Sequence, residues 1–245
     1  MERKDEWQEE IKTVCGMCLW ACGIIVSRQD AKIVKIKGYP EHSLEDEGAN
    51  INMSTRVGFI GLGNIGKPMA INIAGAGFDL MVYDTREESL AELSRLGAKI
   101  ARSAKEIGAH AEIIEIVVVN DAQVKTLTFG KAGLLEGAKS GSIIAIHSTV
   151  HPQTVKEIAE AARMKGVGVI DAQISGGAKG AAEKTLCFMV GGEKALCERC
   201  REVFSVSGTG IFHLGALGSG ALAKLAHNII VYVNMLAASE GMRLA

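Results

Sequence analysis

Gly61, Gly63 and Gly66 lie in Gly61-Leu62-Gly63-Asn64-Ile65-Gly66 and give the spacing G-x-G-x-x-G. The turn follows the apolar run Arg56 to Ile60 and leads into Ile65 to Ala76, whose apolar residues recur at helical spacing. A first glycine allows a tight turn, a second lets backbone approach a pyrophosphate, and a third lets helix and strand pack closely. The helix N-terminus adds free N–H groups and the positive end of a dipole. Phe78 to Tyr83 is a second strand candidate and ends at Asp84, roughly 20 residues past the turn, where a carboxylate accepts hydrogen bonds from the ribose hydroxyls of NAD. The same charge repels the 2′-phosphate of NADP, so NAD is the expected cofactor and NADP the less favoured one. Arg86 is the residue that would meet such a phosphate.

Two further groups could act on a small acid. Ser175-Gly176-Gly177 ends the segment Asp171 to Gly177 after a strand candidate. In an open α/β sheet the carboxyl ends of strands border the ligand crevice. Adjacent glycines leave backbone N–H groups open to a carboxylate, and Ser175 adds a hydroxyl; the same pair also suits an ordinary turn. Lys224 and Asn228 are four residues apart and share a helix face. A lysine shielded from water has its pKa lowered toward the working range and can move the proton of a substrate oxygen, which Asn228 could orient. A solvated helix lysine satisfies the same spacing. Ser148-Thr149 and Val119-Asn120 also end strand candidates, where they either line the crevice or cap the next element.

The elements that must hold these residues alternate from Arg56 onward. Glu87 to Leu96 and Asp121 to Leu127 read as helices, as does Gln153 to Lys165, with Pro152 in its first turn. Ala98 to Ala101, Glu112 to Val119, Ser142 to Ile146, Val167 to Ile170 and Leu186 to Val190 read as strands, followed by a helix over Glu193 to Arg201. Such alternation predicts an α/β fold with a doubly wound, mostly parallel sheet of Rossmann type. Beyond Gly218 a long helix places Leu222, Leu225, Ile229, Val233 and Leu236 on one stripe. The expected organisation is a cysteine-bearing segment and linker (1–55), a dinucleotide-binding domain (56–218) and the start of a helical domain (219–245).

Composition narrows the partners. The 245 residues are 48% hydrophobic and 22% charged, with a net charge of −1. That balance offers no electrostatic case for nucleic acid or an anionic membrane. Met1 to Glu6 is too charged for a signal peptide, and the apolar stretch Ile229 to Ala238 is too short to span a bilayer. The six cysteines have no extracellular context, so reduced thiols and a cytoplasmic protein are expected. Cys197 and Cys200 form a C-x-x-C on one helix with no second pair, and His147 and His151 lack a third ligand; neither spacing is that of a metal site.

From Arg56 to the end, four segments in order resemble the β-hydroxyacid dehydrogenases, the 3-hydroxyisobutyrate dehydrogenase and tartronate semialdehyde reductase group. They are Gly58 through Ala70, His147-Ser148-Thr149-Val150, Asp171 through Gly177, and Gly218-Ser219-Gly220 through Lys224 and Asn228. The resemblance implies an NAD(P)-dependent enzyme that moves hydride between nicotinamide and a small 3-hydroxy acid or its semialdehyde. It implies Lys224 as acid/base, Asn228 in support, and Ser175, Gly176 and Gly177 on the substrate carboxylate. It further implies that Thr149, Val119 and Asn120 touch the cofactor beside the glycine turn. His227 stands where the family usually has Asn. Lys224 separates the chain from imine-reducing relatives. The family's all-helical second domain, which supplies part of the pocket and most of a dimer interface, is represented only by its first helix. A homo-oligomer through that helix and an activity impaired by truncation are both expectations.

Residues 13–40 carry a different likeness. Cys15, Cys18 and Cys22, then two alternating runs at Ile24 to Arg28 and Lys32 to Lys37, resemble the iron–sulfur cap of molybdopterin oxidoreductases. That cap binds [4Fe–4S] through a C-x2-C-x3-C run and a later cysteine. No cysteine stands between Cys22 and Cys187, and clusters use four thiolates, so a cluster is not expected here. The competing functions are thus a nucleotide-binding fusion remnant without turnover and an electron-transfer module built on the cysteines.

Overall fold

The computed structural model describes the backbone of residues 9–14, 23–29 and 32–38, and residues 55–244 in full. Cys15, Cys18, Cys22 and the polar linker Glu41 to Asn52 lie outside the described residues. The chain divides into two units, Met1–Glu47 with Ala226–Ala245, and Gly48–Leu225. This division falls inside the long last helix.

In the first unit β1 (Glu9–Val14), β2 (Gly23–Gln29) and β3 (Lys32–Gly38) form an antiparallel sheet in that order. The β2–β3 pairing is the hairpin read from the alternation; β1, with its charged Glu9, Glu10 and Lys12, was not foreseen.

The second unit is built on one eight-stranded sheet. Its strands are β4 (Arg56–Ile60), β5 (Asp79–Tyr83), β6 (Lys99–Ile100), β7 (Ile113–Ile116), β8 (Ile143–Ile146), β9 (Gly168–Ser175), β10 (Leu186–Gly191) and β11 (Gly208–Gly215). The order β11-β10-β9-β8-β7-β4-β5-β6 contains the doubly wound arrangement, which reverses direction between β4 and β7. All pairings are parallel except β9–β10. Alternation sorts each strand onto two cores. Val57, Phe59, Ile143, Ile170 and Phe188 face one, with α1 (Gly66–Gly75), α2 (Glu87–Arg95), α7 (Gly177–Ala182) and α8 (Lys194–Ser205) contributing to it. Ile60, Ile114, Ile116, Ile144 and Ile146 face the other. That side takes α3 (Ala104–His110), α4 (Asp121–Phe129), α5 (Leu134–Gly137), α6 (Pro152–Arg163) and Ala221 of α9 (Ser219–Leu244). Strands buried on both faces are the signature of a parallel α/β sheet, and they explain the apolar runs in the sequence.

Three differences from expectation matter to the site. Strand β7 stops at Ile116 rather than Val119, so residues 117–119 leave the sheet. Strand β9 runs on to Ser175, so Asp171 lies inside a strand and not in a turn. Helix α9 is 26 residues long with a mean hydropathy of 1.4 over its most apolar stretch. Among the described residues it is the one helix long and apolar enough to cross a membrane, by length and composition alone. The stripe residues Leu222, Ile229, Val233 and Leu236 are exposed.

Candidate functional site

The glycine turn is shaped by backbone collisions that side chains would cause. Gly61 has φ +96°, and a Cβ there would strike the Val117 carbonyl oxygen. Its amide binds the Tyr83 carbonyl at 3.0 Å, which ties the turn to the end of β5. Asp84, one residue on, accepts a bond of 2.6 Å from the Leu62 amide. The same carboxylate accepts from the Arg86 amide at 2.8 Å and from its guanidinium at 3.2 Å. Burial would raise the Asp84 carboxyl, but the bonds from Arg86 and Leu62 outweigh it and hold it below the usual carboxylate range. Helix α1 then begins at Gly66 without a side-chain cap; the Lys67 amide binds the Gly63 carbonyl at 3.0 Å, the Met69 amide binds the Ile65 carbonyl at 3.3 Å, and Pro68 has no N–H.

These parts border a cleft of about 960 Å³ at the point where the strand order reverses. Gly61, Gly63, Asn64, Ile65, Gly66, Asp84, Val119 and Asn120, all expected at a cofactor site, line it. Leu62 differs: its side chain is 1% exposed in the core, and only its amide is turned to Asp84. Val119 is exposed, and Asn120 caps α4 by accepting from the Gln123 amide at 3.0 Å. Gln123 reciprocates by accepting from the Val119 amide at 2.9 Å. Thr85, Val118, Gln123 and Thr126 also line the cleft and were not singled out beforehand. The Asn120-x-x-Gln123 spacing, a capping box, was the available signal for Gln123.

The cleft fits a dinucleotide. The glycine corner, the N-terminus of α1 and the Asp84 carboxylate converge on one concave surface. Fold and site together define a Rossmann-type dinucleotide-binding protein.

Beside the cleft, Ser148 and Thr149 end β8. The Ser148 hydroxyl accepts from the Val118 amide at 2.8 Å, which fixes the cleft wall, while Thr149 is exposed and does not border the cleft. His147 is buried beneath them. Its Nδ1 lies 2.6 Å from the Ala172 carbonyl and therefore carries a hydrogen, and its Nε2 lies 3.4 Å from the buried Glu115 carboxylate. Phe188 and Phe204 meet the imidazole edge-on. His151 caps α6 through Nδ1. Cys197 and Cys200 pack in the core, where burial pushes the Cys197 thiol up to about 11 and the Cys200 thiol higher still.

The second group of expected residues lies one strand further along. Ser175 ends β9, and Gly176 and Gly177 both have positive φ as the chain turns into α7. Ser175 pairs directly with Cys187 on β10. Lys224, on the second turn of α9, is half-buried and within electrostatic reach of Cys187. Burial lowers its pKa below the ordinary lysine value of 10.5. Asn228 follows one turn along the same helix and is half-buried. None of Ser175, Gly176, Gly177 or Lys224 borders the glycine cleft itself. Asp171, fully buried, holds the start of α9: its carboxylate accepts from the Gly218 amide at 2.7 Å and the Ala221 amide at 2.8 Å. Burial pushes its carboxyl up against the downward pull of those amides.

Residues 56–215 match the family described as the NAD binding domain of 6-phosphogluconate dehydrogenase. Residues 8–48 match the molybdopterin oxidoreductase Fe4S4 domain. A 2-(hydroxymethyl)glutarate dehydrogenase from Eubacterium barkeri is 36% identical, over 77% of this chain and 63% of its own. An NAD-dependent L-serine dehydrogenase from Pseudomonas aeruginosa is 37% identical over the same shares. The solved structure of a Mycobacterium tuberculosis 3-hydroxyisobutyrate dehydrogenase with L-serine superposes with a TM-score of 0.74 at 33% identity, covering 79% of this chain and 65% of that one. The chain belongs to the β-hydroxyacid dehydrogenase family, of which it contains the NAD-binding domain. It spans under two thirds of the length of the curated relatives named here.

Proposed function

We propose that the chain carries the cofactor half and the proton-transferring lysine of an NAD-dependent oxidoreductase acting on a small 3-hydroxy acid or its semialdehyde. The observation that carries this reading is Lys224, half-buried with a lowered pKa on a helix anchored to β9 at Asp171, four residues before Ser175 ends that strand. The relatives named above point to one substrate pattern, a primary alcohol on the carbon beside a carboxylate-bearing carbon.

The turn from Gly63 to Gly66, at the N-terminus of α1, would hold the pyrophosphate, and Asp84 the adenosine ribose. Bound NAD supplies the two-electron acceptor for hydride. Ser175 with the amides of Gly176 and Gly177 receives the substrate carboxylate and so fixes the hydroxyl-bearing carbon. In the oxidative direction Lys224 takes the hydroxyl proton on its Nζ as the carbon–hydrogen bond breaks and the carbonyl forms. In reduction the Lys224 ammonium returns that proton to the oxygen. Asn228 orients the same oxygen. Asp84 disfavours a 2′-phosphate, so NAD is preferred over NADP.

A steady-state assay with NAD and a panel of 3-hydroxyisobutyrate, L-serine and 2-(hydroxymethyl)glutarate tests the reading. NADH formation that is lost in Lys224→Ala, with NADH binding retained, is the expected result. No NADH binding by calorimetry in the unmodified chain would overturn it, and binding without turnover would leave a nucleotide-binding remnant.

A further inference from the structure

We propose that Asp171 is a positioning residue that fixes where Lys224 stands, a role that rests on Lys224 being the acid/base. Asp171 is the last residue of β9 paired with β8 and the first paired with β10, so its backbone is locked on both sides. Its side chain is fully buried and reaches 47 residues along the chain to Gly218 and 50 to Ala221. The Gly220 amide lies close enough to the same carboxylate to pull its pKa down. The first amides of a helix have no partner within it, and a cap is normally the residue just before the helix. Here the cap comes from a neighbouring strand. Around it, the Ser219 amide binds the Ala216 carbonyl and the Leu222 amide binds the Gly218 carbonyl. The first turn of α9 is therefore tied to the sheet through its Gly218 and Ala221 amides.

A second contact sets its height. A Cβ at Gly220 would strike the Met189 carbonyl oxygen on β10, so the turn rests directly on that strand. Asp171, Met189 and Cys187 then mark a path across one face of the sheet. Asp171 pairs with Gly191, Gln173 with Met189, and Ser175 with Cys187, so all six positions lie on the same face of the sheet. The helix starts over the Asp171 end, and Lys224, about one turn of 5.4 Å beyond Ala221, comes within electrostatic reach of Cys187 at the Ser175 end. A turn that frays or slides carries the lysine with it. A misplacement of about 1 Å can lower turnover by about 100-fold.

The test uses the full chain with Asp171→Asn, which keeps the volume but turns an NH2 group toward a backbone donor. Three readouts are taken. Hydrogen exchange over 218–225 is expected to accelerate by about tenfold or more. The Lys224 titration, followed by 13C-methyl NMR of reductively methylated protein and assigned with Lys224→Arg, is expected to move up toward that of an exposed lysine. Removing a negative charge by itself would move it down, so the direction separates displacement from simple charge loss. Turnover is expected to fall about 10- to 100-fold, with the NADH dissociation constant within about twofold. Gly220→Ala, whose methyl would strike the Met189 carbonyl and press on the Asp171 carboxylate while leaving that carboxylate in place, shifts the same turn, should give the same signature and serves if Asp171→Asn does not fold. Faster exchange with an unchanged or lowered Lys224 titration overturns the proposal. If the unmodified chain turns over no hydroxy acid, the catalytic reading of Lys224 fails, while exchange and titration still decide whether Asp171 places it.

Discussion

The carboxylate of Asp84 and the backbone amide of Leu62 are 2.6 Å apart, although 22 residues separate them. The acid at the end of β5 therefore shapes the glycine turn at the end of β4 as well as standing where a ribose would bind. Asp84→Ala should weaken NADH binding by about tenfold or more and lower stability by about 1–3 kcal/mol, because a charge-assisted bond to a part-buried amide is lost. Calorimetric titration and urea unfolding measure the two losses separately. Asp84→Asn should keep much of the stability and lose most of the affinity for NADH.

With Lys224 as the proposed acid/base, its titration should set the pH dependence. Burial disfavours its ammonium, so its folded pKa lies below 10.5. Oxidation requires the neutral amine. The kcat/KM for hydroxy-acid oxidation should rise with pH through the Lys224 pKa and level off above it. Reduction of the semialdehyde requires the ammonium and should fall over the same interval. A profile of opposite sign, or one centred at the ordinary lysine value, would exclude Lys224 as the titrating base.

Glu115 and His147 form a buried acid–imidazole pair under the sheet's carboxyl edge. Removing one partner leaves the other unpaired in the core, which costs about 3–5 kcal/mol. His147→Leu and Glu115→Leu should each show a loss of that order in chemical denaturation. The double variant should lose less than the sum, since hydrophobic replacement of a whole buried pair is often near neutral. Strict additivity would mean that the pair does not interact.

The thiols of Cys187, Cys197 and Cys200 are buried, and burial holds those of Cys187 and Cys197 near 12 and 11. Thiolate is the reactive species. At pH 8 a disulfide reagent should leave all three unmodified in the native protein and label them in urea, as read by peptide mass spectrometry. Native labelling of Cys197 or Cys200 would indicate that α8 opens.

Much of this was legible in the sequence for a physical reason. A parallel sheet buried on both faces writes its strands as apolar runs, and the glycine turn can be formed by few other residues, so β4, β5, β7 and β8 and the cofactor cleft stand out. Elements held by tertiary contact were harder to see. Strand β11 is a partly exposed edge strand carrying Gly208, Gly210 and Gly215, which have no apolar signature. Glu115 within Ile113-Ile114-Glu115-Ile116 carries no local hint that His147 awaits it across the sheet. Asp171 opens the segment that the sequence places after a strand candidate, and it carries no local sign of being a buried cap. Its partners are amides about 50 residues away, and no spacing rule connects them.

Strand β9 outlasts its neighbour. Its pairing with β8 ends at Asp171, while its pairing with β10 continues to Ser175. The last four residues form a shelf that overhangs the sheet, hydrogen-bonded along one rim by a strand and along the other by side chains. His147 reaches the Ala172 carbonyl, and Gln173 reaches back to the carbonyls of Ile146 and Ser148. Ser175 is thus bracketed by residues that no substrate need touch. If Ser175 receives the substrate carboxylate as proposed, exchanging those brackets is a route to shifting its position without replacing the hydroxyl itself.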